Sequence, residues 1–150
     1  MASLDLPLEV QEERLVEPED AKGGSFGDGS DKIIGACIEV HRHLGPGLLE
    51  SVYSHALCRE LSLLGLPFER GRKVPIPYKG VLLDAGHELD LVVDSRIMIE
   101  LKAVAMLLPV HQAQVLTYLK LTGLDAALLV NFNVAYLKQG LRRFARRTSA

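Results

Sequence analysis

Two short runs, residues 87–93 and 97–103, constrain the fold of this chain more than any other part of it. They read HELDLVV and IMIELKA, and only Asp94, Ser95 and Arg96 separate them. Aliphatic runs of that length, so close together, leave no room for a crossover and form a β-hairpin. The odd positions after His87 are apolar in both runs, and the even face holds Val92 and Met98. A hairpin apolar on both faces belongs in the middle of a layered domain, covered on each side. Yet the even face also carries Asp90, Glu100 and Lys102. A carboxylate in such a layer costs several kcal/mol unless something pairs it. Lys102 can compensate one carboxylate; a bound divalent cation would compensate both.

Register decides whether the carboxylates meet. A two-residue turn would pair Asp90 with Ile99 and send Glu100 to the opposite face. A three-residue loop over Asp94, Ser95 and Arg96 sets Asp90 opposite Glu100 and Glu88 opposite Lys102. Cross-strand neighbours lie about 5 Å apart at Cβ, a workable span for two carboxylates sharing a metal. We expect the three-residue loop. A purely structural Asp/Glu/Lys network is the alternative.

The flanking segments supply the covering layers. Ser30 or Asp31 can cap a helix that carries Ile33, Ile34, Cys37, Ile38 and His41 at helical spacing and breaks at Gly45-Pro46-Gly47. A second helix runs from about Leu48 to Leu64, with Leu49, Val52, Tyr53, Ala56, Leu57, Leu61 and Leu64 on one broad face and Gly65 as its stop. Val74, Ile76 and Tyr78 alternate with prolines, as in an edge strand, and 81–83 reads as another short strand. Pro109 opens a third helix carrying Val110, Ala113, Val115, Leu116 and Leu119, ended by Gly123. Residues 126–132 have buried-strand length, and the basic tail 136–147 is either helical or a last strand. The order is α-α-β-β-β-α-β, an α/β or α+β sandwich.

Charge divides the chain in two. Residues 1–31 carry nine acids against two bases, whereas the remainder carries 15 bases against ten acids. We read 1–31 as an acidic, flexible leader and linker, and 32–147 as a single domain. The rival for the leader is a docking segment using Leu6, Leu8 and Val10. No apolar run approaches the ~18 residues of a membrane helix, and Met1 opens no signal peptide, so a cytoplasmic protein without membrane contact is expected. Cys37 and Cys58 lack a CxxC spacing and read as buried thiols. Two basic clusters, Arg70/Arg72/Lys73 and Arg142/Arg143/Arg146/Arg147, would favour phosphate contacts over base stacking in a chain with no Trp.

Further polar residues stand on the helices. Glu50 opens the second helix three residues before Tyr53. Gln114 and Tyr118 are four apart on the third helix, with His111 on the same stripe.

Gly47-Leu48-Leu49-Glu50-Ser51-Val52-Tyr53 is a GxxExxY signature, and residues 38–47, 100–104, 108–114 and 130–133 resemble further stretches of the GxxExxY protein family. The resemblance covers roughly residues 32–145. That family is grouped with the PD-(D/E)xK nuclease superfamily, which implies a restriction-endonuclease-like α/β core, a central mixed sheet flanked by helices. By motif, Glu50 matches the acid of the first core helix, Asp90 the acid of the second core strand, and Glu100 and Lys102 the ExK. Gln114 and Tyr118 match the QxxxY helix motif of the RecB-like branch, which acts on DNA ends or single strands. Leu89 stands where the superfamily's proline precedes the aspartate.

The resemblance implies metal-dependent hydrolysis of phosphodiester bonds, in DNA rather than RNA. Mg²⁺ or Mn²⁺ would be held by Asp90, Glu100 and the Leu101 carbonyl, with Glu50 at a second ion or a metal-bound water. Lys102 would orient the attacking water, and Gln114 and Tyr118 would hold the nucleic-acid backbone or Lys102. The alternative is a non-catalytic nucleic-acid-binding or regulatory module on the same fold. Exposed sheet edges would suit a homodimer or a protein partner.

Overall fold

The computed structural model describes residues 10–15 and 28–146. Its core is a six-stranded mixed sheet with helices on both faces, which is the layered α/β architecture expected of the hairpin. In chain order the elements are β1 (Val10–Leu15), α1 (Ser30–Leu44), α2 (Glu50–Leu63), β2 (Phe68–Lys73), β3 (Ile76–Tyr78), β4 (Val81–Leu83), β5 (Glu88–Val93), β6 (Ile97–Lys102), α3 (Pro109–Thr122), β7 (Ala126–Asn131), a 3-10 turn (Leu137–Gly140) and β8 (Leu141–Arg146). The sheet runs β1-β8-β7-β6-β5-β2. Only β6 and β7 are parallel, with α3 as their crossover; the other neighbours are antiparallel.

The odd face of the central hairpin (Leu91, Val93, Ile97, Ile99 and Leu101) packs against α1 and α2. On the even face, Val92 and Met98 pack with Val115 and Leu119 of α3. The register is the expected one: Leu91 pairs with Ile99, Val92 with Met98 and Val93 with Ile97. Asp94 and Ser95 both turn in the left-handed region, each at φ 54°, and the Arg96 N–H returns to the Val93 carbonyl at 3.0 Å.

Several elements differ from the sequence reading. The partner of β5 is Phe68–Lys73, not the stretch around Val74 to Tyr78. Pro75 and Pro77 remove ladder donors, so β3 instead folds onto β4 as a separate hairpin. Tyr78, Val81, Leu82 and Leu83 of that hairpin are exposed. The tail resolves as strand β8. Helix α2 buries only Tyr53, Leu57 and Leu61, a narrow i, i+4, i+8 stripe; Leu49, Val52 and Leu64 are exposed. On α3, Val110 and Ala113 are likewise exposed, and only Val115 and Leu119 are fully buried. Cys37 is buried, with its thiol pushed up to about 12 by burial, but Cys58 is only half-buried.

The acidic segment enters the fold at two places. The backbone of β1 pairs antiparallel with β8 at the sheet edge. Asp28 and Ser30 hold Arg143, whose Nη2 lies 2.6 Å from Asp28 Oδ2 and whose Nε lies 3.3 Å from Ser30 Oγ. Arg143 is therefore a buried anchor for the start of α1 and not part of an open basic surface. Leu6, Leu8 and Arg147 lie outside the described residues.

Candidate metal and phosphate site

The site forms where the β5–β6 ladder stops. Past the Leu91–Ile99 pair, two carboxylates stand in for ladder carbonyls. The Leu101 N–H donates to Asp90 Oδ2 at 2.8 Å, and the Asp90 N–H donates to Glu100 Oε1 at 3.2 Å. The two acids thus lie across the hairpin from each other, as a three-residue loop requires. The Leu101 N–H points toward β5, and its carbonyl points the same way, since both groups of one strand residue share a side. Lys102 faces β7 with its own carbonyl, which accepts the Phe132 N–H at 2.9 Å.

Glu50 reaches the same place from the first turn of α2, and local sequence explains its placement. Gly45 and Gly47 take positive φ (66° and 101°), which lets the chain reverse between α1 and α2. The Tyr53 hydroxyl donates to the Gly45 carbonyl at 2.6 Å and accepts the Leu48 N–H at 3.1 Å. Its ring stacks on Phe132 at 4.6 Å, anchoring the loop to the core. Tyr53 is therefore the staple that positions Glu50. It is fully buried, whereas Glu50 points to the surface.

The carboxyls of Glu50, Asp90 and Glu100 are all pushed above their ordinary values. For Glu100, burial is the main cause and the Asp90 charge adds to it; His87 opposes both. For Asp90, burial outweighs the Leu101 N–H, Lys102 and His87. For Glu50, burial and Asp90 outweigh Lys102 and His87. The fields of Glu50, Asp90, Lys102 and His87 thus overlap, and loss of solvation is the largest cause of each raised carboxyl.

His87 belongs to this site although its sequence context did not single it out. Its Nε2 lies 2.9 Å from Glu100 Oε2. The His87 N–H donates to the Tyr118 hydroxyl at 2.9 Å, and the two rings tilt together at 5.1 Å. Tyr118 therefore does enter the site, as the support of the β5 entrance. Gln114 is half-buried and makes no hydrogen bond to these groups among the described residues. His111 closes the N-terminus of α3 instead, its Nδ1 accepting the Leu108 N–H at 2.9 Å. No local sequence signal marks His87; the backbone just before it is tightly packed, since a Cβ on Gly86 would sit 1.7 Å from the Val74 carbonyl oxygen.

An open cleft of about 490 Å³ adjoins Asp90, lined by Ser54, Arg70, Gly71, Glu88 and Leu89. Of the first basic cluster, Arg70 faces this cleft, while Arg72 is paired with Glu69.

The donors are hard oxygens plus one imidazole, a set that fits a divalent cation in kind. Among the described residues, however, no three His, Cys, Asp or Glu side chains stand as a ready-made metal cage. Both oxygens of Glu100 are engaged, one by the Asp90 N–H and one by His87. A family model described as the PD-(D/E)XK nuclease superfamily matches residues 28–144. No curated protein and no solved structure matches the chain.

Proposed function

The chain belongs to the PD-(D/E)XK nuclease superfamily, and from that premise we propose that it hydrolyses phosphodiester bonds in nucleic acid with a divalent metal ion. The observation that carries this reading is the meeting of Asp90 and Glu100 across the β5–β6 hairpin, each accepting a backbone N–H of the other strand, with Glu50 and Lys102 close enough to act on Asp90. Such a cluster is relieved by a cation. Asp90, Glu100 and the Leu101 carbonyl would hold Mg²⁺ or Mn²⁺, and Glu50 would hold a second ion or its water. When bound, the ion supplies positive charge at the scissile phosphate and lowers the cost of deprotonating water.

The chain's own residues do the rest. Lys102 lies close enough to act on both Asp90 and Glu50, so its ammonium can orient a water and offset charge on the phosphate. Arg70 in the cleft beside Asp90 suits a flanking phosphate. Tyr118 holds the His87 backbone, and Gln114 on the same helix is left to contact the nucleic acid. DNA is preferred to RNA because the Gln114/Tyr118 pair resembles the motif of a branch that acts on DNA ends and single strands. Tyr53 and the glycines around it supply a structural reason for the GxxExxY pattern, which supports placing the chain in that family. No helix among the described residues is long and apolar enough to cross a membrane.

A second reading is favoured by one observation. The oxygens of Glu100 are spent on protein partners, as in a closed, non-catalytic binding module. Cleavage of labelled single- and double-stranded DNA and RNA with Mg²⁺ or Mn²⁺ separates the two. Nuclease activity lost in Asp90→Asn and Lys102→Ala supports the first reading. Binding that weakens steeply with salt, without cleavage by any combination, supports the second.

A further inference from the structure

We propose that Asn131 and Phe132, at the end of β7, are positioning residues for the site. Asn131 fixes the strand exit that carries Lys102, and Phe132 fixes the turn that carries Glu50, so one short segment holds both in a single relation. This deepens the catalytic reading above and rests on it.

β6 and β7 are parallel and end side by side, with Lys102 paired to Asn131. Paired residues of neighbouring strands share a face. Asn131 therefore stands beside Lys102, and Phe132 enters the core under α1 and α2. The Lys102 carbonyl accepts the Phe132 N–H at 2.9 Å, and there the Asn131 side chain takes over from the ladder. Its Oδ1 accepts the Val104 N–H at 3.0 Å, and its Nδ2 donates to the Val104 carbonyl at 2.9 Å. One amide thus supplies both partners that an adjacent strand would offer. Oδ1 also accepts the Asn133 N–H at 3.2 Å, and Asn133 Nδ2 donates to the same Val104 carbonyl at 3.4 Å. Two N–H groups facing one end and a carbonyl facing the other require an amide, because a carboxylate has no donor. Asn131 is 1% exposed and has no room to retreat, since a Cβ on Gly140 would sit 2.2 Å from the Asn131 carbonyl oxygen. Lys102 is thereby bracketed by its own carbonyl and by Val104, two residues on.

The other side of the segment serves Glu50. The Phe132 ring stacks on Tyr53 at 4.6 Å and 7°. The Tyr53 hydroxyl in turn ties Gly45 and Leu48, just ahead of Glu50. The Val134 carbonyl then accepts His41 Nε2–H at 2.8 Å near the end of α1. Residues 131–134 therefore reach α1, the α2 turn and the β6 exit together. A misplacement of about 1 Å between such groups costs about 100-fold in rate.

The test is nuclear magnetic resonance on the full-length protein, with cleavage kinetics beside it. Asn131→Asp keeps the shape and the accepting oxygen but turns a second oxygen toward the Val104 carbonyl. In wild type the Val104 N–H is expected to resist exchange as ladder amides do, with order parameters near about 0.85 from Lys102 to Val104. In Asn131→Asp that protection is expected to vanish and the order parameter of Val104 to fall below about 0.6, with a smaller drop at Lys102 and none at Ile97 to Ile99. Cleavage should lose about 10- to 100-fold in kcat with substrate Kd unchanged. Phe132→Leu should speed exchange at Leu48 and leave Val104 protected; an unchanged Leu48 would overturn the Phe132 half. A fast-exchanging Val104 amide in wild type, which needs no variant, would overturn the Asn131 half. So would unaltered order at Lys102 and Val104 in Asn131→Asp, or a loss of order spread through the sheet with Kd and kcat changed together, which marks a merely structural residue. A wild type that cleaves nothing with either ion would overturn the nuclease reading, and the exchange and order measurements would still decide the positioning of Lys102 and Glu50.

Discussion

Replacing Glu100 by Gln separates a metal site from a structural ion pair, because the two readings predict opposite signs. Glu100 is almost fully buried, and its carboxyl is raised by burial and by Asp90 despite the His87 hydrogen bond. Gln has nearly the same shape. Its carbonyl can still accept the Asp90 N–H, and its amide can donate to a neutral His87. The substitution therefore removes a disfavoured charge while keeping both contacts. Each unit by which a buried carboxyl is raised corresponds to about 1.4 kcal/mol of stability lost once it ionises. Replacing a whole buried ion pair by well-packed neutral groups of similar volume is neutral or gains about 1–4 kcal/mol, which bounds what removing the Glu100 charge can return when both of its contacts are kept. Metal-free Glu100→Gln should accordingly be more stable than wild type by about 1–3 kcal/mol at neutral pH. With metal present the order reverses in its effect: an ion at about 100 times its Kd stabilises wild type by about 2.7 kcal/mol and should not stabilise the variant. Urea unfolding with a chelator and with Mn²⁺ measures both quantities. If His87 is protonated and forms a self-sufficient ion pair with Glu100, the variant strands a buried cation instead. A metal-free loss of about 3 kcal/mol or more would then appear, and it would refute the reasoning.

Metal-free wild type should also gain stability as the pH falls from neutrality. The raised carboxyls of Glu50, Asp90 and Glu100 make the folded state bind protons first, so their penalty appears as pH rises through their folded values and disappears below the ordinary carboxylate range. Asp28 acts in the opposite sense. Burial alone would raise its carboxyl, but hydrogen bonds from Ser30 and Arg143 hold it below its ordinary value, so its stabilisation is present above the ordinary range and lost as pH falls through the lowered one. Thermal melts against pH should therefore rise and then fall on acidification, and a monotonic fall from neutrality would contradict this. Asp28→Ala should cost about 2 kcal/mol in urea unfolding, reduced from the fully buried case by partial exposure of the pair; an unchanged midpoint would show that Arg143 anchors nothing. Gly86→Ala should cost about 3 kcal/mol, because its methyl must displace the Val74 carbonyl, and a melt equal to wild type would refute that close approach.

The layered fold was legible because the chemistry of the hairpin is local. Apolar alternation and a three-residue spacer set the register, and register alone determined which side chains share a face. The strand beside β5 was not legible. Phe68–Lys73 reads FERGRK, a charged segment without alternation, and it becomes a strand only because β5 offers it a ladder. Charges there protect an exposed edge, so the property that hid the strand is also what suits it to its position. Burial was misjudged for a related reason. Helices α2 and α3 each bury only a narrow line of residues fully, with Ala56 and Cys58, and Leu116, Tyr118 and Leu121, partly buried beside it, and the broader apolar faces in the sequence leave Leu49, Val52 and Val110 at the surface.

The site divides along the same line between local and long-range information. Asp90, Glu100 and Lys102 stand out because charge is anomalous on a two-sided strand. His87 lies at the β5 entrance, where a polar residue is unremarkable, and only the tertiary contacts with Tyr118 and Glu100 give it meaning. The two strands also explain why the cluster sits where it does. Asp90 accepts a backbone donor of β6 and Glu100 accepts one of β5, so each carboxylate replaces a ladder carbonyl that would otherwise draw the strands together. A hairpin that continued its ladder to Lys102 would leave no gap for a phosphate. The same acids that would hold a cation therefore also end the ladder, and removing their charges with isosteric amides should leave that opening intact while abolishing what enters it.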